Sequence, residues 1–145
     1  MYYPYILVIH LLAAIAFIGT LFFEVFIWHT ARQQVSDAAQ GAADQAISSR
    51  SRKVLHGVVL VLYGAGIGLA WHHRGALSQP LASSFATLLS LKIILALSII
   101  GHYLLLAYLL KRQRLTQARA RWIRCSILGH MLLIVILAKA MFYWH

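Results

Sequence analysis

Four long apolar runs alternate with short polar stretches along the chain, and they occupy residues 4–28, 53–71, 81–110 and 122–143. At ~1.5 Å of rise per helical residue, each reaches or closely approaches the ~30 Å of a hydrocarbon core. Tyr2, Tyr3, Tyr5 and Trp28 flank the first run, and Tyr143, Trp144 and His145 close the last. Aromatic residues at span ends are the expected interfacial belt. The polar stretch after the first run is rich in Ala, Gln and Ser and is expected to be partly helical outside the hydrocarbon. Gly75 and Pro80 break the short link before the third run. The pattern predicts an all-α integral membrane four-helix bundle, with residues 1–145 as a single transmembrane domain.

Composition agrees: 61% of residues are hydrophobic and 11% charged, far from the balance of a water-soluble domain. The formal charge of +10 would suit nucleic acid if it were spread over a soluble surface. Instead Arg32, Arg50, Arg52 and Lys53 cluster between runs one and two, and Lys111, Arg112, Arg114, Arg119, Arg121 and Arg124 cluster between runs three and four. The opposite side has only Arg74 and Lys139. This is a topology signal, so the partner is a lipid bilayer and not nucleic acid. The asymmetry places both basic links in the cytoplasm and both termini outside, which in a bacterium is the periplasmic side of the inner membrane. Residues 1–12 lack the positive n-region of a signal peptide, so the first run is read as a retained helix. Cys125 is the only cysteine, which excludes an intrachain disulfide or a CxxC site.

With the orientation set, intramembrane polar residues fall into two layers. His10, ~9 Å in from the outer end of helix one, and Lys92 on helix three form the outer layer, with His72, His73 and His145 at the rim. Lys139 is close enough to its helix end to snorkel. His56, His102 and His130, on helices two, three and four, lie within about two helical turns of height and form an inner layer with Glu24. His10 and Glu24 are 14 residues apart, with Phe17 midway, so they share one helix face. Ionisable side chains are unfavourable in lipid and are candidates for function there. Each inner histidine also adjoins a glycine, as His56-Gly57, Gly101-His102 and Gly129-His130. Glycine leaves the clearance that a macrocycle needs beside an axial imidazole. Gly64, Gly66 and Gly68 are read as packing residues.

His10, the run Gly19-Thr20-Leu21-Phe22-Phe23, Trp28-His29, Leu91-Lys92 and His102 together resemble the copper-resistance D (CopD-like) family and the related HemJ-type protoporphyrinogen oxidases. The resemblance covers mainly helices one and three. It implies haem binding or activity at His10 and Lys92. Gly101-His102-Tyr103 reverses the Tyr-His-like pair of the HemJ type, and Glu24 replaces an uncharged or basic residue. The extra glycine-flanked histidines favour a resident haem over porphyrinogen oxidation.

The expectation is thus a membrane haem b protein, with one or two haems, moving electrons within or across the bilayer as an oxidoreductase. Its partner would be a redox protein or quinone, and a homo-oligomer is also open. Two of His56, His102 and His130 are expected to supply bis-histidine ligation; His56 with His130 fits if helices two and four lie diagonally, with His102 then ligating less directly or hydrogen-bonding. Lys92 and His10 would hold a second group. Arg50, Arg52 and Arg124 are best explained by topology alone, although they could neutralise propionates. Copper transport or tolerance and HemJ-type protoporphyrinogen oxidation are the alternatives, although Met1, Met131 and Met141 are few soft ligands for copper.

Overall fold

The structure is a computed structural model and describes residues 2–143. Met1, Trp144 and His145 lie outside it, and with them part of the expected outer rim. The described residues form helices and turns only. Four helices are long and apolar enough to cross a membrane: α1 (Tyr3–Gln34), α2 (Asp37–His72), α3 (Ser84–Lys111) and α4 (Gln117–Ala140). The chain divides into two compact units, Met1–His72 and His73–His145. Each is an antiparallel hairpin of two spans.

The helices differ from the hydrophobic runs most at the basic links. Residues 37–52, expected to be only partly helical, continue α2 without a break. Hydropathy marks where hydrocarbon ends, whereas helix length follows backbone propensity. This Ala-rich stretch has no proline to stop it. Only Val35 and Ser36 separate α1 from α2. Likewise α4 begins at Gln117, five residues before the apolar run, because the Thr116 side chain accepts from the Arg119 N–H at 3.2 Å and caps the helix. Ser83 caps α3 in the same way, accepting from the Ala86 N–H at 3.1 Å.

The first hairpin packs a continuous stripe of α1. Ala13, Phe17, Leu21, Glu24 and Val25 are buried, with Phe17 only 2% exposed. The shared face expected for Phe17 and Glu24 is therefore the packed face. From Phe23 to Trp28 the helix widens to π geometry. Single π turns of this kind insert one residue and re-aim the side chains that follow. Glu24 is the only buried charged residue among those described.

The second hairpin turns at Gln113, whose φ of 54° places it in the left-handed region. The Gln113 N–H donates to the Leu110 carbonyl at 3.1 Å and the Arg114 N–H to the Leu109 carbonyl at 3.0 Å. That pairing satisfies the last carbonyls of α3 as a Schellman motif does, with glutamine where glycine is usual.

Candidate metal centre

The two halves use their intramembrane histidines differently. In the first, the His10 Nδ1–H donates to the Leu62 carbonyl at 2.9 Å. A Cβ on Gly66 would lie 3.2 Å from His10 Cε1, so this glycine makes room for the imidazole. Two residues on, a Cβ on Gly68 would make ordinary contact with Ile6, at 3.6 Å. At the basic end of the hairpin both Asp44 carboxylate oxygens are engaged. One accepts from Trp28 Nε1 at 2.8 Å and the other pairs with Arg32 at 2.8 Å. These contacts set a consistent antiparallel register and close the hairpin. His56 is exposed, and its Nδ1–H donates to the Arg52 carbonyl of its own helix at 2.5 Å.

In the second half, two histidines meet. The His102 and His130 ring centroids are 5.1 Å apart, with the planes inclined at 56°. Each ring is tethered to its own helix. His102 Nδ1 lies 2.8 Å from the Ser98 carbonyl, and His130 Nδ1 lies 2.7 Å from the Ser126 carbonyl. A carbonyl can only accept, which assigns the proton to Nδ1 and leaves the Nε2 lone pair on the neutral ring. Each lone pair is met by a serine of the opposite helix. Ser126 Oγ–H reaches His102 Nε2 at 3.0 Å, and Ser98 Oγ–H reaches His130 Nε2 at 3.3 Å.

The reciprocity has a source in the sequence. Ser98-Ile99-Ile100-Gly101-His102 recurs 28 residues later as Ser126-Ile127-Leu128-Gly129-His130. Because the helices run antiparallel, the two copies face each other about a local pseudo-twofold axis. Ile99 and Ile127, 3% and 2% exposed, occupy matching buried positions beside it. The glycines do not serve the contact: a Cβ at Gly101 or Gly129 would meet nothing within 4 Å, and the same holds for Gly57. His130 lies ten residues from Ala140 and thirteen from Gln117, or ~15 and ~20 Å from the two ends of α4. The pair is therefore deep within its span.

Chemically, this is a pair of imidazoles that, as Nδ1–H tautomers, offer Nε2 as a nitrogen donor. Histidines that ligate metal generally give their other N–H to a carbonyl or carboxylate, which fixes tautomer and ring orientation. Both rings meet that requirement. No group of three or more His, Cys, Asp or Glu side chains able to hold a metal is found among the described residues. A haem between these two rings does not fit. It needs the imidazoles on opposite faces of a macrocycle, each about 2 Å from the metal. Here the helices pack directly, and a serine hydroxyl of each touches the ring of the other.

The remaining expected site residues are distributed as follows. His10 and His56 belong to the first half, and Lys92, His102 and His130 to the second. The expected His56–His130 and His10–Lys92 pairings thus each join one residue from either half. Lys92 is half-buried on α3, ten residues or ~15 Å along the axis from His102. At the rim, His72 stacks on Tyr3 with centroids 4.7 Å apart, and His73 meets Phe85 at 5.3 Å. Ser98 and Ser126 were not picked out by residue type, since serine in an apolar helix reads as small filler. The repeated pentapeptide is the signal that finds them. Comparison with protein-family models, curated proteins and solved structures returns no match.

Proposed function

We propose that this chain is a multi-pass membrane protein that handles copper on intramembrane histidines, with His102 and His130 as its central ligands. The observation that carries this reading is the close approach of two imidazole rings, centroids 5.1 Å apart, each already fixed by an Nδ1 bond to the Ser98 or Ser126 carbonyl. Imidazole is a good copper ligand. Positive-inside asymmetry supports termini on the periplasmic side of a bacterial inner membrane.

Among the readings raised by the sequence, a haem b held between His102 and His130 draws less support from this geometry, because a serine hydroxyl of each helix touches the ring of the other; HemJ-type porphyrinogen oxidation, tied to His10 and Lys92, is not addressed by it. A haem in this protein would need a different pair, such as His56 with His130.

Metal analysis and an optical spectrum of the purified full-length protein test the proposal. The expected result is about one copper per chain and a reduced spectrum without haem bands. A dithionite-reduced haem spectrum that disappears in His56→Ala and His130→Ala would replace copper with haem b. A protein that takes up neither copper nor haem would remove the metal reading altogether.

A further inference from the structure

Resting on the reading of His102 and His130 as ion ligands, we infer that Ser98 and Ser126 are place-holders whose hydroxyls compete with a monovalent soft cation for the two Nε2 lone pairs. Each Nε2 has one lone pair, and in this structure a serine hydroxyl occupies it. An ion can enter only as both hydroxyls leave.

The helices supply somewhere for those hydroxyls to go. Thr20, Thr30, Thr87 and Ser90 all donate to the carbonyl four residues back, at 2.8, 3.1, 3.0 and 2.8 Å. That back-bond is the ordinary resting place of a hydroxyl in an apolar helix. Ser98 and Ser126 instead reach across to the neighbouring helix. A change of χ1 takes each one to its own i−4 carbonyl, at Ile94 and Trp122, and leaves no polar group unsatisfied. The pair therefore has two complete hydrogen-bonding states, one clasped without an ion and one with both Nε2 atoms on the ion.

The same surroundings select the class of ion. Divalent zinc in protein sites takes four ligands and calcium six or more, usually with carboxylates. Here two neutral donors are present. All three acidic residues, Glu24, Asp37 and Asp44, lie in the first half, while residues 73–145 carry nine basic side chains and no acidic one. Added double charge would be uncompensated in this hairpin. A monovalent d10 cation, Cu(I) or Ag(I), accepts two nitrogen donors and brings the smallest charge.

The test is Ag(I) and Cu(I) affinity of the full-length protein in detergent, measured by competition against a chromophoric chelator. Ser98→Ala and Ser126→Ala should each tighten binding by about 2- to 12-fold, the worth of one competing hydrogen bond, and the double variant by more. Ser126→Thr, which keeps the hydroxyl, should bind close to wild type. Serine variants that bind equally or more weakly, while wild type binds Ag(I), would overturn the place-holder role and leave the ligand assignment standing. Wild type that binds neither ion would overturn the ligand assignment itself. A second readout covers serine variants that do not fold. In wild type, loading with Ag(I) should shift the Nε2 nitrogen resonances of both His102 and His130. Unchanged resonances at saturating ion would overturn the proposal.

Discussion

The two hairpins are built from the same materials, yet their polar side chains do different work. In α1–α2 the polar contacts of His10 and Asp44 between the helices run one way. His10 ties one helix to a backbone carbonyl of the other, and Asp44 closes the basic end through Trp28 and Arg32. In α3–α4 the same residue types act reciprocally. Two serine–histidine units cross-bond and bring two imidazole rings to within 5.1 Å of each other, centroid to centroid. A lone histidine that donates to a carbonyl is accounted for by packing, because such interhelical bonds contribute about 0.6 kcal/mol on average. Two whose rings meet, each cross-bonded to a serine of the other's helix, are a candidate donor set. Counting membrane histidines does not separate these cases; the direction of their nitrogens does.

Substitutions should divide along the same line, and the largest effect is on metal content. His102→Ala or His130→Ala should remove copper from the purified protein, whereas His10→Ala should leave it near the wild-type level, as read by elemental analysis. Equal losses from all three would erase the distinction between the halves. Phe17→Ala comes next. It empties the best-packed position of the first hairpin and should cost about 3 kcal/mol in reversible denaturation, mostly through lost contacts and the cavity left behind. Copper content of the folded fraction should not change. Asp44→Ala removes one partly exposed ion pair and the acceptor of Trp28, for about 1–2 kcal/mol, part of it lost at high salt. The smallest effect belongs to Gly66→Ala. The new methyl presses on His10 and should cost under about 1 kcal/mol. In a double-mutant cycle the cost should vanish in the His10→Ala background. A cost that persists there would mean that Gly66 answers to something other than the imidazole.

Much of the architecture was legible in the residues themselves. Four spans follow from apolar run length, and the shared face of Phe17 and Glu24 follows from their sevenfold spacing. Helix ends were harder. Residues 37–52 are polar, which puts them outside hydrocarbon, but polarity does not end a helix made largely of alanine, glutamine and serine. The π turn at Glu24 has no local signature in Phe-Glu-Val-Phe-Ile-Trp. Its burial depends on packing against α2, which one helix read alone does not reveal.

The candidate site was half visible. His102 and His130 stand out as polar residues deep in apolar runs, and depth arithmetic put them at the same height. Their glycine neighbours suggested clearance for a macrocycle, yet Gly101 and Gly129 face away from packed side chains. The informative neighbours were the serines four residues back, where the i−4 spacing puts hydroxyl and imidazole on one face. Comparing the last two runs with each other, rather than scanning each for ligand types, brings out that pentapeptide.

Copper X-ray absorption on the full-length protein loaded with one equivalent of Cu(I) tests the central assignment most directly. The account predicts a low-coordinate ion with imidazole scattering, no sulfur shell, and loss of the signal in both His102→Ala and His130→Ala. A sulfur-ligated ion, or the same spectrum in both variants, would contradict it.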